Sequence, residues 1–234
     1  MTRVFVMNGS PRLEKGNTAM VLTPFIEGMK KAGAKVELFY ATRLKINPCI
    51  GDFQCWFKKV GECIHKDDML TLYPKLRETD ILVLATPVYI PLPGAMQNFL
   101  NRLCPIVEPY LEIIDGRTRA RFPSSTKISK IVLICTSGWW EIENCDTVLR
   151  IAKELALDAN TEFTGAVLRP HASELRNGNE KTKEVFDALK IAGSQLIEKG
   201  RITGEILRVI SQPLVPEKEY LNAMNKMYLD AKKS

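Results

Sequence analysis

The stretch "MNGSPRLEKGNTAMV", residues 7–21, joins an apolar run to a helical pattern. The run at residues 4–7 is typical of a buried strand, and it stops at the Asn8-Gly9-Ser10-Pro11 segment. A helical pattern resumes at Asn17-Thr18. Glycines, small polar side chains and an arginine therefore lie between a strand and a helix. This combination indicates a turn that binds an anion.

The composition is that of a globular protein. The 234 residues are 45% hydrophobic and 26% charged, with a net charge of +6. Neither a secretory signal nor a run of about 18 apolar residues is visible, so we expect a soluble, cytoplasmic protein without a membrane partner. The basic residues at 117–121 lack interleaved aromatic residues. We interpret them as a solvated loop and expect no nucleic-acid partner.

Hydrophobic periodicity predicts alternating strands and helices. The predicted strands are 3–8, 35–40, 81–85, 128–136 and 161–167, and the predicted helices are 18–32, 67–78, 94–103, 141–157 and 180–199. Five strands that alternate with helices predict an α/β fold, a doubly wound five-stranded parallel sheet with helices on both faces. Its domain would span residues 1–200, with a cysteine-containing insertion loop at 42–66.

Residues 201–234 exceed what such a sheet requires, and we expect a C-terminal helical extension. Tyr220, Met224, Met227 and Tyr228 recur there at helical spacing and form an apolar stripe. The stripe either packs on its own domain or contacts a second subunit.

The loop after the first strand has the parts of a phosphate site. In an open parallel sheet, ligands bind at the carboxyl ends of the strands. Gly9 and Gly16 allow close approach of backbone N–H groups, and Ser10, Asn17 and Thr18 offer hydrogen bonds. The sequence lacks the Gly-Lys-Ser/Thr of a P-loop and the Gly-x-Gly-x-x-Gly of dinucleotide sites. A monophosphate site is therefore predicted, with a plain turn and a capped helix as the alternative.

Two further loops suit a flat aromatic ligand. After the third predicted strand, prolines stiffen a segment that presents Tyr89. After the fourth, Trp139 and Trp140 put aromatic surface at the same edge, where a ring could stack. A monophosphate at the first loop and a planar ring between the other two describe FMN. Alone, Tyr89 would more often be a surface or interface tyrosine.

The segments "GSPRLEKGNT", "DDM" and "TPVYIPLPGAMQNFLNR" resemble the NAD(P)H-dependent FMN reductases of flavodoxin-like fold, and more closely the branch of the iron–sulfur flavoproteins. The resemblance covers about residues 3–104 well. It implies a homodimer or homotetramer that binds FMN and uses NAD(P)H as a co-substrate. The cofactor-binding residues that we predict are Ser10, Arg12, Gly16, Asn17 and Thr18 for the phosphate, and Pro87, Val88, Tyr89, Ile90, Thr136, Ser137, Gly138 and Trp139 around the ring.

The segment "NPCIGDFQCWFKKVGEC" departs from the branch that it resembles. Cys49, Cys55 and Cys63 match three ligands of the compact motif that holds an iron–sulfur cluster, and Asp52 stands at the fourth position. We favour loss of the cluster, with the thiols kept for packing or redox sensing. The alternatives are a cluster or zinc ion with Asp52 or His65 as fourth ligand, or a regulatory disulfide. We interpret Cys104, Cys135 and Cys145 as buried thiols, and His171 as a loop residue.

The predicted function is that of an FMN-dependent oxidoreductase. It would take a hydride from NAD(P)H and pass electrons to a quinone, a flavin, a metal or a protein. No catalytic side chain is required, and the sequence shows no nucleophile–base or paired-carboxylate arrangement. Arg117, Arg119 and Arg121 are candidates for attracting a nicotinamide phosphate. The alternatives are an electron carrier and a binding protein without flavin on the same fold.

Overall fold

The computed structural model describes residues 1–233 and has a five-stranded parallel sheet at its centre. In chain order the strands are β1 (Arg3–Asn8), β2 (Lys35–Tyr40), β3 (Ile81–Pro87), β4 (Glu108–Ile114), β5 (Arg117–Arg121), β6 (Lys130–Thr136) and β7 (Glu162–Arg169). The sheet has the order β2-β1-β3-β6-β7, and every pair in it is parallel. Without the separate β4–β5 pair this is the flavodoxin-like order 2-1-3-4-5. The predicted fold class is therefore confirmed.

Helices cover both faces of the sheet. They are α1 (Asn17–Lys31), α2 (Gln54–Phe57), α3 (Met69–Arg77), α4 (Gly94–Asn101), α5 (Asp146–Asp158), α6 (Glu180–Lys199), α7 (Gly204–Ser211) and α8 (Glu217–Ala231). One apolar core lies between the sheet and α1, α6 and α7, and a second lies between the opposite face and α3, α4 and α5. The residues of β3 and β6 are almost all buried because both of their faces are covered.

Helices α1 and α6 approach each other closely at two glycines. A Cβ added to Gly28 would lie 1.9 Å from the Lys190 carbonyl oxygen, and one added to Gly193 would lie 2.0 Å from the Phe25 carbonyl oxygen. The Ser194 hydroxyl also donates to the Gly28 carbonyl at 3.1 Å. Both obstacles are backbone atoms, so the helices would have to separate to accept a methyl group.

We expect Gly28→Ala to lower the free energy of unfolding by about 2 kcal/mol, because it overpacks this helix contact. The measurement is urea unfolding followed by circular dichroism. Gly204→Ala is the matched control: it is also helical, and its added Cβ would come no closer than 3.8 Å to the Arg208 guanidinium. Equal stability of the two variants would show that α1 and α6 can move apart without cost.

The sequence analysis missed the β4–β5 hairpin and was wrong about residues 117–121, which form β5 rather than a solvated loop. The arginines of this strand face carboxylates. Arg119 Nε lies 3.2 Å from Asp158, and an Arg121 Nη atom lies 2.9 Å from Glu112. Arg117 lies 3.8 Å from Glu154. These ion pairs offset the positive charge that would attract a nicotinamide phosphate. The structure therefore lends no support to the three arginines as a site for that phosphate.

The C-terminal segment packs on the sheet through α7, whereas α8 is largely exposed. Of the predicted apolar stripe only Tyr220 is buried, while Met224, Met227 and Tyr228 are exposed. The stripe therefore does not pack on its own domain as a unit, and the alternative of a second subunit stays a prediction. Among the described residues no helix combines the length and the apolar character needed to span a membrane.

Candidate functional site

The three predicted loops meet at the carboxyl edge of the sheet; the first loop is residues 8–18, the second 86–94 and the third 137–140. Thr18, in the first turn of α1, and Thr136, at the end of β6, share a hydrogen bond of 2.8 Å between their hydroxyl groups, and both residues are buried. The Val88 N–H donates to the Thr136 carbonyl at 2.8 Å. The Gly9 N–H donates to the Ala85 carbonyl of β3, also at 2.8 Å. The ends of β1, β3 and β6 are thus joined directly by hydrogen bonds.

The first loop is a closed turn held by its own side chains. The Ser10 N–H donates to Asn8 Oδ1 at 2.8 Å, and the Arg12 N–H donates to Ser10 Oγ at 3.3 Å. A single 3-10 turn at Leu13–Lys15 follows. A Cβ at Gly16 would lie 2.6 Å from Ser10 Oγ and 3.1 Å from the Arg12 Cβ. A side chain at position 16 would therefore displace Ser10 Oγ, which accepts one of the hydrogen bonds that close the turn.

The start of α1 is open to an anion. Gly16 is its N-cap, and no side chain caps the first N–H groups of the helix. Such groups carry partial positive charge and favour a phosphate. The amide Nδ2 of Asn8 is buried without a hydrogen-bond partner among residues 1–233. A buried unpaired donor costs about 1–3 kcal/mol, so an acceptor from outside the chain is expected there. The donor set thus fits a phosphate-bearing cofactor.

Arg176 is a site residue that the sequence analysis missed. It lies in the 3-10 segment Ala172–Asn177 after β7. Its Nη2 donates to the Lys15 carbonyl at 2.9 Å and to Asn17 Oδ1 at 3.0 Å, so its cation lies across the first loop. Its position after the fifth strand, at the same sheet edge, was the one available sequence signal.

The second and third loops offer aromatic and apolar surface at this edge. Tyr89, Ile90 and Trp139 are exposed, and Trp139 shows 65% of its surface. Pro87 and Val88 are half-buried, while Ser137 is buried and accepts the Trp139 N–H at 3.1 Å. Gly138 is exposed and has no side chain, and its carbonyl accepts a hydrogen bond from the Tyr220 hydroxyl. Every residue predicted to hold FMN therefore lies in one of the three loops at this edge or at the strand end next to it.

His171 is buried and is not a plain loop residue, which corrects the sequence-based interpretation. Its Nδ1 donates to the Trp140 carbonyl at 3.2 Å, and its Nε2 accepts the Leu214 N–H at 3.1 Å. The guanidinium of Arg169, itself buried, lies 3.1 Å from the same Nε2. Burial and this neighbouring charge lower the pKa of His171 to about 4. The imidazole is therefore neutral at pH 7 and ties the C-terminal segment to the third loop.

The cysteine segment contains free thiols. Cys49, Cys55 and Cys63 line one cavity, together with Cys104, which we had grouped with the buried core thiols. Cys104 is half-buried, whereas Cys135 and Cys145 are buried in the core as expected. Burial and the three neighbouring thiols raise the pKa of Cys55 to about 11. No cysteine of residues 1–233 is in a disulfide, and no three His, Cys, Asp or Glu side chains there are placed to hold one metal ion.

The doubly wound sheet, with a glycine-containing turn after β1 and aromatic loops after β3 and β6, defines a flavodoxin-like fold. Residues 2–126 match the family described as NADPH-dependent FMN reductase, which is more than half of the chain. The chain belongs to this family. The match includes the first two loops and stops before the third. Membership confirms FMN as the cofactor and NAD(P)H as the co-substrate of the family.

The relatives with known names are iron–sulfur flavoproteins. One from Methanocaldococcus jannaschii is 35% identical over 116 residues, which are 49% of this chain and 57% of the relative. One from Archaeoglobus fulgidus is 36% identical over 98 residues, 42% of this chain and 43% of the relative. The chain thus spans about half the length of these relatives. One from Methanosarcina thermophila is 24% identical over 203 residues, 83% of this chain and 96% of the relative.

Several solved structures of similar fold are named as reductases. An NAD(P)H:quinone oxidoreductase from Methanothermobacter marburgensis superposes with a TM-score of 0.53 at 16% identity, covering 83% of this chain and 96% of its own. An FMN-dependent NADH-azoreductase from Bacillus anthracis, solved with FMN, superposes with a TM-score of 0.58 at 12% identity. The superposition covers 85% of this chain and 100% of the azoreductase chain. At such low identity these likenesses establish the fold alone.

Proposed function

We propose that this protein is an FMN-dependent oxidoreductase that takes a hydride from NAD(P)H and passes electrons to a quinone, a flavin, a metal or a protein. The observation that carries the proposal is the junction of the three loops, where the Thr18 and Thr136 hydroxyls meet at 2.8 Å beside the uncapped start of α1. The family membership supports it. When bound, FMN supplies the hydride chemistry.

The residues of the first loop would bind the phosphate. The N–H groups at the start of α1, the hydroxyl of Ser10 and the side chain of Asn17 offer hydrogen bonds, and Arg12 and Arg176 offer positive charge. The buried Nδ2 of Asn8 would gain the acceptor that it lacks within the chain. This turn is already closed by internal hydrogen bonds, so little ordering would accompany binding.

The second and third loops would orient the ring. Val88 is fixed to β6 through the Thr136 carbonyl, and Tyr89 is held by a 2.9 Å hydrogen bond from its N–H to the Pro91 carbonyl. The exposed faces of Tyr89 and Trp139 can cover a planar ring and exclude water from it.

Gly16→Ala tests this assignment. The added methyl group would meet Ser10 Oγ at 2.6 Å, so we expect the turn to open and the Kd for FMN to rise at least about tenfold, equivalent to ~1.4 kcal/mol. FMN titration followed by quenching of flavin fluorescence measures the Kd. Gly204→Ala, whose added methyl group would meet no residue of the three loops, is the control and should keep the wild-type Kd. An unchanged Kd in Gly16→Ala would place the phosphate elsewhere.

Anaerobic titration of the FMN-loaded protein with NADPH and with NADH separates a reductase from an electron carrier. A reductase bleaches the flavin with at least one of them. A protein whose flavin is bleached by dithionite and by neither nucleotide would be a carrier, and one that takes up no FMN would be a binding protein without flavin.

We also propose a division into a flavin-binding domain at residues 1–200 and a C-terminal extension, and assembly into a homodimer or homotetramer. The exposed apolar residues of α8, Met224, Met227 and Tyr228, support assembly because they have little to contact within one chain.

A further inference from the structure

Arg169, the last residue of β7, is a cation that is buried without a carboxylate. It is 0% exposed, and no aspartate or glutamate of residues 1–233 pairs with it. Its Nε donates to the Pro170 carbonyl at 2.9 Å, its Nη1 donates to the Ile210 carbonyl at 2.6 Å, and its Nη2 lies 3.1 Å from His171 Nε2. Burial lowers the pKa of Arg169 to about 10, so the side chain remains protonated at pH 7. Buried charges are normally paired, and this one is an exception.

The carboxyl end of α7 offsets only part of this charge. Ile210 lies in the last turn of α7, and its carbonyl is one of the four that have no partner within the helix. The carboxyl end of a helix carries about half a negative elementary charge. His171 adds no charge at pH 7, because its pKa is about 4. About half a positive charge therefore remains uncompensated in the protein interior.

The cation adjoins the loop that is predicted to border the flavin ring. Arg169 is paired in register with Thr136 of the neighbouring strand, and its carbonyl accepts the Ser137 N–H at 3.0 Å. Neighbouring parallel strands lie about 4.8 Å apart. The guanidinium contacts His171, whose ring stacks on Trp140 with 5.9 Å between the centroids. Both the backbone and the side chain of Arg169 are therefore next to the end of β6 and the third loop.

We propose that Arg169 stabilises the reduced form of bound FMN relative to the oxidised form through its charge. This inference rests on the proposed function, and Arg169 lies outside residues 2–126, which match the family. A transferred hydride brings two electrons and one proton to the ring, which gains one negative charge. A buried cation at this edge attracts that charge, because the protein interior screens it less than water does. The phosphate carries the same charge in both states, so the cation discriminates between the states of the ring.

A purely structural role for Arg169 would give a different result. Its hydrogen bonds tie the end of β7 to α7, and their loss could loosen the third loop. A looser loop would weaken the binding of oxidised and reduced FMN alike, and the ratio of the two dissociation constants would stay the same. An electrostatic role weakens the binding of reduced FMN more than that of oxidised FMN. That ratio also fixes the difference in midpoint potential between bound and free FMN, so the potential separates the two roles.

The test is Arg169→Gln in the full chain loaded with FMN. Quenching of flavin fluorescence gives the Kd for oxidised FMN, and anaerobic reduction with dithionite beside a reference dye gives the midpoint potential. We expect the Kd for reduced FMN to rise at least about tenfold relative to the Kd for oxidised FMN, which lowers the midpoint potential of a two-electron couple by about 30 mV. Arg169→Met should give the same shift, and its apolar side chain suits the buried position if the glutamine variant does not fold.

Arg208→Gln is the matched control. It removes the same charge from an exposed arginine of α7 that lines one cavity with Trp140 and His171. Water and salt screen an exposed charge, so we expect the ratio of the two dissociation constants to change less than about twofold. Cys145→Ala tests the remaining ionisable neighbour of Arg169, a buried thiol, and should keep the wild-type potential.

The proposal would be overturned by wild-type ratios in the folded Arg169 variants or by an equal shift in Arg208→Gln. A higher potential in Cys145→Ala would also contradict it, because a thiolate would then neutralise the arginine. A wild type that binds no FMN would overturn the proposed function and this inference with it. Reduction by dithionite requires no nicotinamide, so a protein that neither NADPH nor NADH reduces still gives a potential. Failure of the reductase activity is therefore distinguishable from failure of the role of Arg169.

Discussion

Asp67→Asn is expected to lower the free energy of unfolding by about 3–5 kcal/mol, because it leaves the Arg102 guanidinium buried without its counter-charge. The pair is bidentate, with Nη1 to Oδ2 at 2.7 Å and Nη2 to Oδ1 at 3.1 Å. The Asp67 side chain is 0% exposed and the Arg102 side chain is 1% exposed. Water therefore cannot solvate the arginine once the carboxylate is gone.

The same carboxylate also fixes the base of the cysteine segment. The Asn47 N–H donates to Asp67 Oδ2 at 2.9 Å, and the Met69 N–H donates to Oδ1 at 3.2 Å at the start of α3. Burial alone would raise the pKa of Asp67, but the hydrogen bonds from Arg102 and from Asn47 outweigh it and lower the pKa. Stability from this group is therefore present above its unfolded-state pKa and is lost as the pH falls below it.

Asp68→Asn is the control for Asp67→Asn. Asp68 is the neighbouring residue, and its carboxylate accepts the Lys45 N–H at 2.7 Å at an exposed position. We expect Asp68→Asn to lower the free energy of unfolding by less than about 1 kcal/mol. Urea unfolding at pH 7 measures both. A loss in Asp67→Asn as small as that of Asp68→Asn would mean that the buried arginine finds another partner.

The sequence predicted most strands of the sheet well because a strand that is buried on both faces has a continuous run of apolar residues. β1, β2 and α6 have the predicted bounds, and β3 and β6 differ from prediction by two residues at one end. The position of the three loops followed from the rule that parallel strands end at one edge. The hairpin was missed because no residue of β4 or β5 is buried and β5 alternates arginines with small residues rather than apolar with polar ones.

What the sequence did not predict depends on contacts between distant residues. Arg176 contacts Asn17 across 159 positions, and Cys104 approaches the cysteine segment from beyond β3. The sequence around each residue contains no motif that predicts its contact. The contact forms because the crossover connections of the sheet bring distant segments together. No local pattern marked His171 either, since its contacts are with the distant residues Leu214 and Tyr220.

His171 should make the stability of the protein depend on pH between about 6.5 and 4. Burial, followed by the charge of Arg169, lowers the pKa of His171 from its unfolded value of 6.5 to about 4. The folded protein therefore prefers the neutral imidazole. Its contribution is fully present above pH 6.5 and falls as the pH drops, because only the unfolded chain takes up the proton. Across this interval the loss amounts to about 3 kcal/mol.

Comparison with His171→Gln isolates this effect, because a glutamine side chain can still accept a hydrogen bond but does not titrate. Free energies of unfolding in urea, measured for both proteins from about pH 7.5 to pH 4.5, should diverge at high pH and converge as the pH falls. Other titrating groups are common to both proteins and cancel in the difference. A difference that stays constant with pH would contradict the assignment of the proton to His171.

The local consequence should be release of the C-terminal segment. Protonation converts Nε2 from an acceptor of the Leu214 N–H into a second donor, and it sets two cations against each other at 3.1 Å, since Arg169 faces the same nitrogen. Trp140 stacks on the imidazole, with 5.9 Å between ring centroids, so its fluorescence should report the change. Because Trp140 belongs to the third loop, FMN affinity in the wild type should weaken over the same pH interval, whereas the affinity of His171→Gln should not change there.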